Sequence, residues 1–185
     1  AYSNGAVTVP AINDYRADPA NRSGNGLDHR YGAGMVNAQQ SYRIINAGEF
    51  NSAQDGTLGG AIGQYGFDYD PSFGGAGGSN VQADYGFTAD AAGKFTASLV
   101  WNLKIDGAAT VGGNFSSAHT LHNLALALID VTAGGTVVAL SNSSVDNTQN
   151  LWVALVAGHT YTLRVTRAGG DFEWDYGLAW RGEVA

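Results

Sequence analysis

The hydrophobic pattern of the chain changes its period near Gly48. Before this residue the sequence is polar and irregular, except for one short stretch in which apolar residues recur at helical spacing. Those apolar residues are Met35, Ala38, Tyr42 and Ile45. Asn37 occupies the N-cap position, Gln40 follows three residues later as in a capping box, and Gly48 is suited to end the helix. Because so short a helix is unstable alone in water, we expect its apolar stripe to pack on the rest of the chain.

After about residue 61, apolar and polar residues alternate at the period of a β-strand. The clearest runs are KFTASLVWNLKI, HTYTLRVT and DFEWDYGLAW, in which one face is apolar and the other is polar or acidic. Shorter runs are QYGFDYD, VQADYGF, LALALIDV, TVVALS and LWVALV, separated by turns rich in Gly, Asn, Asp and Ser. About eight strands without a βαβ unit predict an all-β fold. We expect a jelly-roll-like, two-sheet antiparallel β-sandwich with a short N-terminal helical segment.

Composition and charge exclude several classes of function. The 185 residues are 44% hydrophobic, which is enough for a packed core, and the net charge is −7. Such a surface repels phosphates, so neither nucleic acid nor an anionic membrane surface is an expected partner. No apolar run approaches the roughly 20 residues that a membrane span requires. The absence of cysteine excludes disulfides and thiolate metal sites, and the abundance of glycine favours a turn-rich extracellular protein.

One segment in the first part of the chain resembles a known enzyme family. DHRYGAGMVNA, residues 28–38, resembles a segment of subtilisin-like serine peptidases. In that family a Y-G-x-G-hydrophobic-N-A turn leads into a late helix of the catalytic domain, after the helix that carries the nucleophilic serine. The resemblance implies that residues 1–48 are an irregular segment plus a helix that correspond to the end of such a catalytic domain.

The β portion resembles a second family. LHNLALALIDVTAGGTVVALSNSSVDNTQNLWVALVAGHTYTLRV, residues 121–165, is similar to the bacterial pre-peptidase C-terminal domain, which often follows the catalytic domain of secreted peptidases. The resemblance implies that residues 49–185 form an accessory domain, secreted or on the cell surface, with a peptidase catalytic domain as its partner in the same parent chain. One departure is that His122, Asn123 and Ala125 stand where the family often carries a D-x-D-L pair.

The chain lacks the motifs of a subtilisin-like active site. No G-T-S-x-A or H-G-T-H motif is present, His29 is followed by Arg30, and neither His119 nor His122 has flanking glycines. A triad is defined by geometry rather than by sequence order, so scattered residues remain an alternative. We predict that this chain by itself has no catalytic activity.

Two sets of residues are candidates for binding. Asp68 and Asp70 in FDYDPSFGG would offer two carboxylates beside loop carbonyls to calcium, whereas the alternative is an acidic, solvated face. Trp152 alternates with Leu151, Val153 and Leu155 in LWVALV, so one of these two sets faces outward or towards another layer. If Trp152 faces outward, its ring is the best candidate for stacking on sugars. The aromatic residues of DFEWDYGLAW alternate with acidic ones and are expected in the core.

The function predicted from these observations is that of a non-catalytic accessory domain of a secreted peptidase. It would stabilise the enzyme, assist secretion, or bind a polysaccharide or protein substrate or surface. One alternative is a carbohydrate-binding module with an exposed aromatic patch, in which Trp152 binds sugar. A structural domain of the cell envelope is a further alternative. Calcium is the cofactor that the sequence suggests, through Asp68 and Asp70.

Overall fold

The computed structural model describes residues 3–4, 7–8, 12–55, 61–75, 80–105 and 118–184. Its helical elements are α1 (Ile12–Ala17), a 3₁₀ helix (Pro19–Asn21) and α2 (Ala38–Ala47). Its strands are β1 (Ser3–Asn4), β2 (Val7–Thr8), β3 (Tyr65–Phe73), β4 (Gln82–Thr88), β5 (Gly93–Val100), β6 (Lys104–Ile105), β7 (His119–Thr120), β8 (Asn123–Asp130), β9 (Thr136–Ser141), β10 (Thr148–Leu155), β11 (Thr160–Ala168) and β12 (Trp174–Val184).

The eight long strands form two four-stranded antiparallel sheets. The first sheet has the order β10-β5-β12-β3 and the second has the order β4-β11-β8-β9. If these eight strands are counted along the chain from β3, the orders become 6-3-8-1 and 2-7-4-5, which is the arrangement of a jelly roll. The predicted fold class is therefore confirmed, and each of the eight predicted runs overlaps one of these strands.

The core lies between the sheets and comes from the alternating apolar positions. Leu124, Leu126 and Leu128 of β8 are fully buried, as are Leu163 and Val165 of β11. Alternate residues of a strand point to the same face, so a period of two delivers one continuous apolar face per strand. Burial of these faces is the main favourable contribution to folding.

The alternating pattern of β5 extends further in sequence than in structure. Phe95 and Trp101 are buried as expected, but Leu103 and Ile105, which continue the same pattern, are exposed. The reason is that β5 ends at Val100, so the alternation no longer refers to one sheet beyond that point. The prediction that one apolar face runs as far as Ile105 is wrong.

Helix α2 begins and ends as predicted, but the apolar stripe is not the side that faces the sandwich. The side-chain oxygen of Asn37 accepts a hydrogen bond from the backbone N–H of Gln40 at 3.1 Å, and Gly48 is the C-cap with φ 92°. Met35, Tyr42 and Ile45 are 94%, 67% and 69% exposed. The prediction that this stripe packs on the sandwich is therefore wrong for the chain described.

The connection after α2 explains which side of the helix faces the sheet. The carbonyl of Gly48 accepts from the backbone N–H of Phe67 in β3, and the N–H of Phe50 donates to the Phe67 carbonyl. Phe50 then packs on Trp180, with ring centroids 5.6 Å apart, and covers the core at this place. The helix contacts β3 on the side of Arg43, whose guanidinium donates to the Tyr65 hydroxyl at 3.1 Å. The apolar stripe points elsewhere.

The loop after the 3₁₀ helix covers the outer edge of β10. The backbone N–H and the side-chain amide of Asn150 both donate to the carbonyl of Asn25, at 2.9 and 3.0 Å. The side chain of Asn25 in turn donates to the Thr148 hydroxyl at 3.1 Å. The unpaired edge of a strand is prone to aggregation. Here residues 12–32, called the N-terminal segment below, form hydrogen bonds with part of the β10 edge.

In the part of the chain that the structure describes, no helix is both long and apolar enough to cross a bilayer. The longest of the described helices, α2, has 10 residues.

Candidate functional site

Trp152 lies on the outer face of the first sheet. Its neighbour Leu151 and, further along β10, Leu155 point into the core, so the half-buried Trp152 occupies the opposite face. Across the sheet, Trp152 pairs with Thr96 of β5, and Thr96 pairs with Arg181 of β12. The three side chains therefore form a row on one face. Trp152 thus belongs to the set that faces outward, and Arg16 of the N-terminal segment covers part of its ring. Ligand binding by Trp152 stays a prediction.

A buried ion pair holds the N-terminal segment over Trp152. The guanidinium of Arg16 lies 4.4 Å from the centroid of the Trp152 ring and donates to the Asp28 carboxylate at 2.5 Å and to the Gly32 carbonyl at 2.7 Å. Burial acts to raise the pKa of Asp28. Hydrogen bonds from the backbone of Tyr31 and from Arg16 outweigh it and lower that pKa below the ordinary value. Both charges are thus satisfied, as a buried pair requires.

A cavity of about 420 Å³ adjoins the indole of Trp152. It lies between the N-terminal segment, the outer face of the first sheet and β9. Of the residues that the structure describes, four basic ones and one acidic one, Glu183, line it. The basic residues are Arg16, Arg22, Lys94 and Arg181. The sequence does not predict this basic group, because its members are scattered between residues 16 and 181 and no local spacing connects them.

Asp68 and Asp70 lie inside the sandwich and not beside a loop. Both belong to β3, both are buried, and their i, i+2 spacing places them on its inward face. The hydroxyl of Tyr85 donates to the Asp68 carboxylate at 2.5 Å and lies 2.5 Å from the hydroxyl of Tyr176. The Asp70 carboxylate accepts from the backbone N–H of Ser72 at 2.9 Å. The alternative of a solvated acidic face is wrong for these two residues.

The environment of Asp68 favours the protonated carboxyl. Burial raises its pKa to about 6, and the negative charges of Asp70, Asp55 and Glu49 act in the same direction, whereas the hydrogen bond from Tyr85 opposes them. Burial likewise raises the pKa of the Tyr85 hydroxyl, which therefore stays protonated and donates. At neutral pH this part of the core holds an ionised carboxylate at a cost in free energy.

Calcium binding by Asp68 and Asp70 stays a prediction. Carboxylate oxygens are the ligands that calcium prefers, but it takes six to eight of them. Among the residues that the structure describes, no three His, Cys, Asp or Glu side chains are grouped so that they would hold a metal ion. Residues 56–60 and 76–79, which follow Asp55 and Gly75, lie outside the described part.

The candidate residues do not form one site. β10, which carries Trp152, and β3, which carries Asp68 and Asp70, are the two opposite edges of the first sheet. Trp152 points outward and the two aspartates point inward. The expected core role of the β12 aromatics is confirmed for Tyr176 and Trp180, which are buried. Two further aromatics of this run, Phe172 and Trp174, are half-buried and pack on the core, and His122 stacks on Phe172 at 4.3 Å.

Comparisons with known proteins give similarity at the level of fold. No protein-family model and no curated protein matches the chain. It is similar to the pre-peptidase C-terminal domain of a collagenase from Bacillus anthracis, with 15% identity, 65% of this chain and 92% of that chain covered, and a TM-score of 0.46. It is also similar to PliG of Aeromonas hydrophila, a periplasmic inhibitor of g-type lysozyme, with 18% identity, 74% and 100% coverage, and a TM-score of 0.39. Similarity at this level carries no information about ligand or activity.

Proposed function

We propose that this chain is a non-catalytic accessory domain of a secreted peptidase and that α2 is where the peptidase catalytic domain contacts it. The observation that carries the proposal is the exposed apolar surface of α2 and the turn before it, formed by Met35, Val36, Tyr42 and Ile45. Large apolar side chains that are exposed together on one short segment are typical of a protein–protein contact. The resemblance of this same segment to subtilisin-like peptidases supports a catalytic domain as the partner.

The anchoring of α2 supports the same proposal. Its C-terminal cap at Gly48 and the hydrogen bonds to Phe67 fix the helix on β3, while Arg43 bonds to Tyr65. The helix is therefore held against the sandwich by one side and presents the apolar surface on another. A rigid, preformed surface loses little conformational entropy when a partner covers it.

The direct test is the mass and activity of the native polypeptide. An antiserum against this chain isolates the protein from its source, and mass spectrometry measures its size. A species larger by a further domain or two of about 100–200 residues, labelled by a fluorophosphonate probe for active serine peptidases, is the expected result. A native species near 19.2 kDa without such labelling would reject the proposal.

Two adjacent isoleucines of α2 give a matched test of the surface. Ile45 is exposed and Ile44 is half-buried. In this chain alone, Ile44→Ser is expected to lower the free energy of unfolding by about 1 kcal/mol, and Ile45→Ser by less than about 0.5 kcal/mol. Both changes cost the same helix propensity, so the difference measured by urea unfolding reports burial.

The same two variants also distinguish contacts with the catalytic domain from contacts with the sandwich. When the catalytic domain is attached, Ile45→Ser is expected to become about as costly as Ile44→Ser, because the partner then covers Ile45. An effect of Ile45→Ser that stays below about 0.5 kcal/mol in the longer protein would show that the catalytic domain does not contact α2.

A further inference from the structure

Positive charge is concentrated at the cavity beside Trp152, although the chain as a whole is acidic. The four basic residues that line the cavity are nearly half of the nine in the sequence, whose net charge is −7. They come from the N-terminal segment, from β5 and from β12. The fold therefore brings together cations that the sequence keeps apart, against the trend of the rest of the surface.

Two of these cations are not compensated by carboxylates in the described part of the chain. Arg16 is paired with Asp28, and Arg181 donates to Glu183 at 2.6 Å. Among the described residues, the Arg22 guanidinium donates only to backbone carbonyls, those of Arg16 at 2.7 Å and Ala17 at 3.3 Å. Lys94 is exposed and has no ion pair among the described residues. The cavity thus keeps an excess of about two positive charges and attracts an anion.

The cavity also has a flat aromatic wall and an apolar one. Trp152 contributes an indole ring, and the exposed side chain of Val138 contributes aliphatic surface. Thr96 adds a hydroxyl in the same row as Trp152 and Arg181. Pockets that take small ligands combine such apolar walls with a few polar groups, and about 420 Å³ suits a ligand the size of a disaccharide.

We propose that this cavity binds an acidic oligosaccharide built from uronic acid units. The apolar face of a sugar ring would pack on the part of the half-buried Trp152 indole that Arg16 leaves uncovered, and its carboxylates would face Lys94 and Arg22, which provide charge-assisted hydrogen bonds. An acidic peptide is less well suited to the wall formed by β10. Its backbone at Asn150 is already occupied by Asn25 on one side and by Ser98 of β5 on the other, so no further strand adds there.

The test is isothermal titration calorimetry of the full chain with three defined probes. Trigalacturonate is expected to bind, with a dissociation constant in the micromolar to low millimolar range that suits one small pocket. The neutral trisaccharide galactotriose is expected to bind at least about tenfold more weakly, because it lacks the carboxylates. Hexaglutamate, an acidic peptide of the same charge type, is expected to bind more weakly than trigalacturonate. Absence of trigalacturonate binding, or tighter binding of hexaglutamate, would overturn the proposal.

The two lysines of the chain provide a matched pair of variants. Lys94 lines the cavity, whereas Lys104 lies on β6 and does not. Lys94→Gln is expected to weaken trigalacturonate binding about fivefold or more, and Lys104→Gln less than twofold, although both remove one exposed charge. Equal effects of the two variants would mean that only the net charge of the protein attracts trigalacturonate. That result would overturn the proposal that the cavity is its binding site.

Trp152→Ala tests the aromatic wall separately. It is expected to weaken trigalacturonate binding about tenfold or more while an unchanged circular dichroism spectrum shows that the sandwich is folded. If this variant binds trigalacturonate as tightly as the unmodified chain, Trp152 does not contribute to the site. The cavity is distinct from the exposed surface of α2, so these titrations succeed or fail independently of the attachment to a peptidase.

Discussion

Gly26→Ala is expected to release the N-terminal segment from the sandwich and to lower the free energy of unfolding by about 3 kcal/mol or more. Gly26 has φ 79°, and a β-carbon at this position would lie 1.9 Å from the carbonyl oxygen of Asn150. That oxygen belongs to β10, which is paired with β5 along its whole length, so it has little freedom to move. Both the backbone strain and the clash oppose the contact between the loop and the strand.

Gly24→Ala is the control for this prediction. It lies in the same loop, but a β-carbon there would be 3.6 Å from the Ser143 Cβ, an ordinary contact. Its effect on the free energy of unfolding is expected to stay within about 0.5 kcal/mol. Urea unfolding measures both variants. If the two variants unfold at the same urea concentration, Gly26 is not required for the packing of this loop on β10.

The released segment gives a second measurement. In the native chain the Arg16 side chain is buried and forms an ion pair with Asp28, and this burial protects it from trypsin. Gly26→Ala is expected to speed cleavage after Arg16 and to abolish trigalacturonate binding, because Arg16 and Arg22 leave the cavity. Cleavage at the rate of the unmodified chain would contradict the release.

Asp68→Asn is expected to stabilise the protein at pH 7.5 by about 2 kcal/mol and to leave its stability at pH 4 almost unchanged. The pKa of Asp68 is raised from 3.8 to about 6 in the folded chain, so the folded state binds this proton more tightly than the unfolded state does. The stabilising contribution of the protonated carboxyl is complete below about pH 3.8. It is lost as the pH rises through about 6.

The asparagine keeps the shape and the acceptor of the aspartate. Its side-chain oxygen accepts from the Tyr85 hydroxyl as the carboxylate does, while the charge that faces Asp70, Asp55 and Glu49 is removed. Urea unfolding in EDTA at pH 4, 5, 6 and 7.5 measures the profile, with the exposed Asp90→Asn as the control for loss of one acidic residue. A profile of Asp68→Asn parallel to that of Asp90→Asn would exclude the raised pKa.

The same variant tests the calcium prediction. If Asp68 and Asp70 bind calcium, the metal raises the melting temperature of the unmodified chain at pH 7.5, because a ligand that binds only the folded state stabilises it. The increase should be lost in Asp68→Asn. An unmodified chain whose melting temperature is the same in calcium and in EDTA would mean that the two aspartates are a buried acidic pair and not a metal site.

Some of the candidate site was accessible to sequence reasoning. The outward position of Trp152 follows from strand alternation, because its neighbours Leu151 and Leu155 are apolar and face the core. The cavity beside Trp152 cannot be predicted from the sequence. Arg22 and Lys94 line the same cavity only because the N-terminal segment lies across the first sheet. No local pattern in the sequence predicts that arrangement.

The inward position of the two aspartates differs from the loop position that the sequence predicts, and the difference has a physical reason. FDYDPSFGG contains a proline and two glycines, which favour a loop, yet β3 continues through Pro71 to Phe73. Strand β3 lies at the edge of its sheet, where the missing N–H of a proline leaves no ladder bond unmade. The hydroxyls of Tyr85 and Tyr176, from other strands, then provide the polar environment that a buried carboxyl needs.

The sequence by itself determined the eight strands, their apolar faces and the caps of α2, since each depends on residues within one turn or one strand. Only the tertiary structure decided which surfaces are covered. Helical spacing identifies the stripe that contains Tyr42 and Ile45 but does not identify its partner. In the structure both residues are exposed, and Phe50, from the connection after α2, packs on the core at Trp180. Burial and charge clustering depend on contacts between residues far apart in the chain, which local periodicity does not encode.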